Sequence, residues 1–319
     1  RDIQALVPDD EALIEYYYTG KTLFAFVVTR SVVRGVIINA ASLSSDVQEF
    51  RETLAMPKSE DYLPIAHRLY DTLIAPLMGR LTATRLTIVP HGVLHYVPFG
   101  ALNDGKSFLI EKYDLSVLPS ASVLKYLPSR ALPKPGGILA FGNPDLGDPR
   151  YDLKYAQEEA LAVVRAVPRS KALLRKEATL RALKEFGSGF RYLHFATHGK
   201  FNAGAPLQSA LYLAKDQTND GVLTADKLYS LHLNADLVTL SACETGLGEI
   251  ANGDDVVGLT RGFFYAGVST IVASLWAVDD RATSVLMEEF YARLEENDKR
   301  EALRQAQLAT RKQYPHPFF

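Results

Sequence analysis

Two residues in this 319-residue chain pair a reactive side chain with a position from which it could act. The stretch "YLHFATHGKF", residues 192–201, reads as a buried strand that ends in His198 and Gly199. A histidine at such a point is open to three readings: core filler, metal ligand or catalytic base. Further along, "ADLVTLSACETGLG" places Cys243, the only cysteine of the chain, where another apolar strand turns into Gly246 and Gly248. Taken alone, that cysteine is either core filler or a reactive thiol. A thiol becomes a strong nucleophile as thiolate, and at neutral pH it needs a nearby base or positive charge to reach that state. His198 could supply it if the two strands are neighbours. The backbone N–H groups of Gly199 and Cys243 could then face a developing oxyanion, and a glycine after the histidine avoids crowding a substrate carbonyl.

Other groupings point to less. His194 and His198 form an H-x-x-x-H pair of the kind zinc helices use, but "HFATH" is strand-like, carries no glutamate and has no further ligand in view. Neither a metal nor a cofactor is expected. His91-Gly92 repeats the histidine–glycine pair after "LTIVP", without a cysteine in its half of the chain, and reads as a turn. "GLGEIANG" lacks the lysine and hydroxyl of a phosphate-binding loop.

The elements that must position His198 and Cys243 lie in the second half. There strands alternate with helices: "GILAFGN", a helix around "AQEEALAVVRAV", another near "LRALKEF", then "YLHFATHG", "SALYLA", "DLVTLSAC", the helix "DVVGLTRGFFYAG", the strand "STIVASLW" and one or two closing helices. That alternation predicts an α/β fold with a mostly parallel sheet between helix layers, and ligands bind at the carboxyl ends of strands in such sheets. The first half differs. Residues 11–39 are rich in β-branched and aromatic residues and predict an antiparallel meander with reversals at Thr19-Gly20-Lys21 and Arg34-Gly35. Apolar residues at helical spacing between Ser44 and Leu81 predict two helices covering it, followed by extended pieces in "RLTIVPHGVLHYVPFGAL" and "LIEKYDLSVLPSASVL". "PSRALPKPGG", 128–137, concentrates proline and glycine and marks a boundary between regions 1–130 and 131–319.

Composition narrows the function classes. With 47% hydrophobic residues the chain can bury a large core, and 35 Lys plus Arg against 37 Asp plus Glu offer no electrostatic footprint for nucleic acid or anionic lipid. No apolar run approaches the roughly 20 residues of a membrane span, and no secretory leader is present, so a cytoplasmic protein is expected. A chain that begins at Arg1 without methionine suggests a piece of something longer.

At these residues the sequence resembles the CHAT domain, a caspase-like peptidase module of the clan of caspases, gingipains and separase. The likeness is carried by "EALIEYYYTGKTLFAFVVTR", "RLTIVPHGVLHYVPFGAL", "FGNPDLG", "LHFATHG", "LVTLSACETGLG", "GDDVVGLTRGFFYAG", "VASLWAVDDRATSVLMEEFY" and "EALRQAQL". It implies that the histidine of "THG", His198, is the base and the cysteine of "SACET", Cys243, the nucleophile. It also implies a caspase-like sheet over 131–319, preceded by an inactive caspase-like or α+β half such as the one beside the active half of separase. Family members commonly follow tetratricopeptide (TPR) repeats and continue into a "W-A-x-F" edge strand, so a regulatory protein or attached TPR module upstream and a strand beyond Phe319 are expected.

The resulting expectation is a cysteine endopeptidase acting on a protein or peptide. Cys243 attacks the carbonyl, His198 protonates the leaving amine, and a water activated by the same imidazole releases the acyl-enzyme. No third catalytic group is assignable. After "STIVASLW", Asp279 and Asp280 emerge at the same sheet edge; one caps the helix beginning "RATSVLMEEFY" and the other is free to face the pocket. Separase has a similar "LW-x-V-x-D" segment whose last aspartate pairs with a substrate arginine. The matching position is Asp280, which implies cleavage after Arg, with Lys tolerated less well. Asp254 and Asp255 are the fallback pair. The glycine-rich "TGLGEIANGDD" is expected to be mobile until a partner orders it. Two rivals stand beside this reading: a catalytically silent CHAT scaffold that holds a partner, and a Rossmann-like esterase or acyltransferase using the same cysteine.

Overall fold

The computed structural model describes residues 2–80, 83–126, 136–200, 202, 205–241, 254–275 and 278–319, with backbone only for 80 and 254–258. Strands β1 (Glu11–Tyr18), β2 (Thr22–Val28) and β3 (Val33–Asn39) form the expected antiparallel meander. The first reversal falls at 19–21, but the second lies at 29–32, where the Thr29 N–H donates to the Val32 carbonyl. Arg34 and Gly35 are therefore inside β3, which corrects the reading of them as a turn. Glycine is present there for a packing reason: Gly35 pairs with Phe26, and a Cβ on it would stand 3.3 Å from the phenylalanine ring.

Helices α1 (Leu43–Leu54) and α2 (Tyr62–Leu73) cover one face of the meander. Leu43, Val47, Phe50 and Leu54 repeat at intervals of four, three and four, which lines one helical face with apolar side chains. They join Tyr16, Leu23, Ala25 and Val27 in a single core. Strand β4 (Arg85–Val89) lies parallel to β1, helix α3 (Leu109–Lys112) follows, and β5 (Asp114–Val117) closes the sheet in the order β3-β2-β1-β4-β5. Of the long piece expected to be extended from Arg85, only the first five residues are strand. Beyond them Pro90 and Pro98 remove ladder donors and Gly92 takes a φ of 58°, so 3-10 turns at Gly92–Tyr96 and Phe99–Ala101 replace it.

Beyond the segment 127–135, the second sheet contains β6 (Ile138–Gly142), then α4 (Lys154–Ala166), β7 (Lys171–Leu174), α5 (Leu180–Phe186) and β8 (Tyr192–Ala196). After β9 (Gly199–Lys200), β10 (Ala210–Tyr212), β11 (Val222–Thr224) and α6 (Ala225–Leu228), the chain returns with β12 (Leu237–Ser241). It ends with α7 (Asp254–Tyr265), β13 (Ile271–Ala273), α8 (Asp280–Arg293) and α9 (Lys299–Arg311). The order β13-β12-β8-β6-β7 is parallel throughout, which is the α/β arrangement expected. "SALYLA" is not part of it: β10 pairs antiparallel with β9 and β11 in a separate three-stranded sheet.

Alternation along these strands divides two cores. Leu139, Phe141, Leu193, Phe195, Val238 and Leu240 face α5, α6 and α7, whereas Ile138, Ala140, Tyr192 and Leu237 face α4, α8 and α9. Helix α9 also docks on the first sheet through charge. Arg300 meets Glu11 at 3.1 Å, Arg304 donates to the carbonyls of Ile110 and Glu111 at 2.7 Å each, and Arg311 meets Glu111 at 3.1 Å. The N-cap of α9, Asp298, accepts from the backbone of Arg300 and Glu301 and is itself bound by Arg85 from β4.

Candidate active site

Strands β8 and β12 are neighbours, and Ala196 faces Ser241 across the ladder. His198 follows Ala196 by two residues, and Cys243 follows Ser241 by the same interval in sequence. Cys243 lies outside the described residues, as does most of the glycine-rich stretch after it. The parallel register brings the carboxyl ends of β6, β8 and β12 to one edge of the sheet, and His198 stands there, half-buried.

Each side of the His198 backbone is held. Thr197 N–H donates to the Ser241 carbonyl at 3.2 Å, the Thr197 hydroxyl donates to the Tyr212 carbonyl, and the His198 carbonyl accepts from Tyr212 N–H at 2.9 Å. In an antiparallel ladder, hydrogen-bonded and non-hydrogen-bonded pairs alternate. Because His198 opposite Tyr212 takes that bond, Gly199, which pairs with Leu211, directs its N–H away from β10.

The imidazole has a partner that residue types could not reveal. His198 Nε2 lies 2.9 Å from the backbone carbonyl of Tyr151, and the Tyr151 ring meets the imidazole edge-on at 5.8 Å. A carbonyl can only accept, so the proton sits on Nε2, and in the neutral ring Nδ1 is left as the acceptor. Tyr151 is delivered by the loop after β6. Asn143 opens that loop at φ 46°, donates its N–H to the Ala196 carbonyl at 2.9 Å and accepts from Leu153 N–H at 2.9 Å through Oδ1. Arg175 binds the Asn143 carbonyl and pairs with Asp152 at 2.7 Å.

The two adjacent aspartates take different positions. Asp279 is the N-cap of α8, its side chain accepting from Ala282 N–H at 2.8 Å. Asp280 occupies the first helical turn, half-buried. Burial pushes its carboxyl above the ordinary carboxylate range, the negative charges of Glu159 and Asp279 add to this, and His198 opposes it. Asp254 and Asp255 begin α7, and their side chains lie outside the described residues.

His194, four residues before His198, points instead into the core. Its Nε2 lies 2.9 Å from Glu159 Oε1 without the alignment of a hydrogen bond, and its Nδ1 lies 3.3 Å from the Tyr291 hydroxyl. Tyr291 and Thr239 are 2.8 Å apart. Sequence reasoning passed over Glu159, although Ala156, Ala160 and Val163 at helical spacing mark its side of α4 as the buried one. Among the described residues, no three His, Cys, Asp or Glu side chains converge as a metal site requires, and no helix is long and apolar enough to cross a membrane.

The comparisons agree with this architecture. The chain is 26% identical over 304 residues to tetratricopeptide repeat protein 28 of Mus musculus, and 26% identical over 310 residues to tetratricopeptide repeat protein 28 of Homo sapiens. These alignments cover 76% and 78% of the chain and 12% of each relative, so it spans about an eighth of their length. The family model of the CHAT domain matches residues 63–319, from α2 through the last residue. A caspase-like fold family is what that match implies, and by it the chain belongs to the CHAT domain family.

Proposed function

We propose that the chain is the protease portion of a cytoplasmic cysteine endopeptidase that cleaves proteins after arginine, with lysine accepted less well. The observation that carries this reading is the state of His198: it stands at the carboxyl edge of the parallel sheet, with Nε2–H bound to the Tyr151 carbonyl and Nδ1 left as a base. In the proposed mechanism Nδ1 accepts the Cys243 thiol proton, and the thiolate attacks the scissile carbonyl. The backbone N–H groups of Gly199 and Cys243 stabilise the oxyanion. His198 then protonates the leaving amine and activates the water that frees the acyl-enzyme.

Asp280 supports the choice of arginine. A half-buried carboxylate near the imidazole suits a guanidinium, which engages both oxygens and tolerates desolvation better than an ammonium. Asp254 and Asp255 are the alternative anchors. Control by an attached repeat module or a regulatory protein is part of the proposal, supported by the names of the relatives and the small share of their length that the chain spans.

A peptidyl-arginine reagent that traps active thiols tests the reading on the 319-residue chain and on the longer protein. Covalent mass on Cys243 in either, with cleavage of arginyl peptides, is expected. An unreactive thiol in both, with the fold intact, overturns the peptidase and leaves the scaffold.

A further inference from the structure

The mechanism above uses the main chain of Tyr151 and leaves its side chain without a task. The ring meets the imidazole of His198 edge-on at 5.8 Å between centroids, yet the residue is 48% exposed. Apolar side chains scattered singly over a surface need no explanation. This one differs in its place, beside the group that must hand a proton to the departing amine.

The ring is also held in that place. Tyr151 closes the 3-10 turn Pro149–Tyr151, in which the proline ring fixes the first φ. Arg150 N–H donates to Asp148 Oδ1 at 2.9 Å, and Tyr151 N–H donates to the Asp148 carbonyl at 3.0 Å. Both charged neighbours of Tyr151 in the chain are paired. Arg150 binds the Asp148 carboxylate through Nε at 2.9 Å and Nη2 at 2.6 Å, and Asp152 meets Arg175 at 2.7 Å. Neither offers a substrate an unpaired charge, so what the turn presents beside the imidazole is an aromatic surface.

The reaction decides which part of a substrate meets that surface. To protonate the leaving amine, the imidazole must come within about 3 Å of its nitrogen as the C–N bond breaks. That nitrogen belongs to the substrate residue just after the scissile bond, and the side chain of the same residue starts two bonds further on. It therefore lies next to the imidazole, where Tyr151 stands. Asp280, by contrast, is assigned to the residue before the bond.

We propose that the Tyr151 ring forms the wall for the substrate residue immediately after the scissile bond and selects an apolar, above all an aromatic, side chain there. This rests on the reading of the chain as a cysteine peptidase with His198 as its acid, and not on the choice of arginine. Aromatic pairs gain from offset or edge-on contact beyond the area they bury. A ring already fixed by its turn loses little freedom when a partner covers it. The selection acts on acylation alone, because the residue it touches leaves with the first product before water enters.

The test is a peptide library randomised on both sides of the bond, digested by the 319-residue chain and by the longer protein and read by mass spectrometry. One cleaved sequence is then remade with Phe, Gly or Asp after the bond, and kcat/KM is measured for each. Phe is expected to exceed Gly by about three- to tenfold, the range of one aromatic contact. Tyr151→Ala should bring that ratio to about one, and Tyr151→Phe should keep it, since the ring rather than the hydroxyl makes the wall. A ring that only props the imidazole would slow every peptide alike and leave the ratio at its wild-type value in Tyr151→Ala. That outcome overturns the proposal, as does a wild-type ratio near one. Should Tyr151→Ala fail to fold, Tyr151→Lys decides, by turning the preference from Phe towards Asp.

The two halves of the library profile separate this inference from the assignments beneath it. Apolar selection after the bond, with a residue other than arginine before it, keeps the wall and overturns the role of Asp280. Arginine before the bond, with no selection after it, overturns the wall and keeps Asp280. A library left uncleaved by both proteins removes the peptidase, and this inference with it.

Discussion

His198 and Tyr151 meet through a ring nitrogen and a main-chain oxygen at 2.9 Å, so the group that orients the imidazole is part of the backbone. Orientation by a carbonyl fixes the tautomer without adding a negative charge beside the imidazole. On the proposed mechanism, the loop carrying Tyr151 is what holds the imidazole in place among the described residues.

Loosening that loop should therefore weaken catalysis from a distance. Asn143→Ala loses the acceptor for Leu153 N–H and places a Cβ-bearing residue without a polar side chain at φ 46°. We expect kcat to fall by about tenfold or more with KM little changed, since small misplacement of a catalytic group is costly. Asn143→Asp, which keeps the acceptor, should lie near wild type. A destabilised Ala variant with full kcat would remove the loop from the mechanism.

Cys243→Ala and His198→Ala should each abolish proteolysis while leaving the circular dichroism spectrum unchanged. His198 is half-buried at the sheet edge and contributes little to either core. Wild-type cleavage by either variant excludes the dyad.

The adjacent aspartates should separate by readout. Asp279→Ala removes the α8 cap and should cost about 1 kcal/mol of stability, with arginine preference retained. Asp280→Ala should lower cleavage after Arg by on the order of a hundredfold while small alkylators still label the thiol. If the two phenotypes are exchanged, the assignment of Asp280 is wrong.

Asp280 should also leave a trace in stability. A carboxyl held above its ordinary range in the fold disfavours the native state once ionised, so its contribution declines as pH rises from the ordinary value through the raised one. Asp280→Asn should accordingly raise Tm at pH 7 and leave it nearly unchanged at pH 4. Thermal melts at the two pH values check this, and a Tm that falls at pH 7 contradicts it.

The docking of α9 should be measurable as well. Glu11 is 5% exposed and Arg300 is its charged partner at 3.1 Å, so Arg300→Ala strands a buried carboxylate at a cost of about 3 kcal/mol or more. The double variant Glu11→Ala, Arg300→Ala should recover part of that loss in urea melts. A double variant no more stable than Arg300→Ala would show that the unpaired Glu11 carboxylate carries no penalty.

How much of this could be read beforehand varied with the kind of signal. The alternation of apolar strands and helices after residue 137 shows in composition and period alone, as does the meander, because burial dictates both. Gly35 misled because glycine serves turns and close packing alike, and only the pairing with Phe26 tells which. The division of roles between Asp279 and Asp280 depends on one backbone conformation, extended at Asp279 with φ −73° and ψ 120°, which two identical neighbours cannot reveal. The Tyr151 carbonyl had no signal at all, since every residue except the side chain's own chemistry presents the same oxygen. Glu159 did have one, a charged residue on the apolar side of α4, and its partner His194 sat in the same H-x-x-x-H pattern that suggested zinc.

The cap of α9 has a practical consequence. Asp298 begins the final helix of the second sheet, yet the arginine that binds it comes from β4, 213 residues earlier, and Arg304 and Arg311 continue the same attachment onto 110–114 and its surroundings. The two portions of the chain are thus fastened by side chains as well as by the peptide that joins them. A chain nicked within 127–135 should hold its pieces together and could serve as a split reporter, reassembling from separately expressed fragments wherever two fused baits bring them into reach.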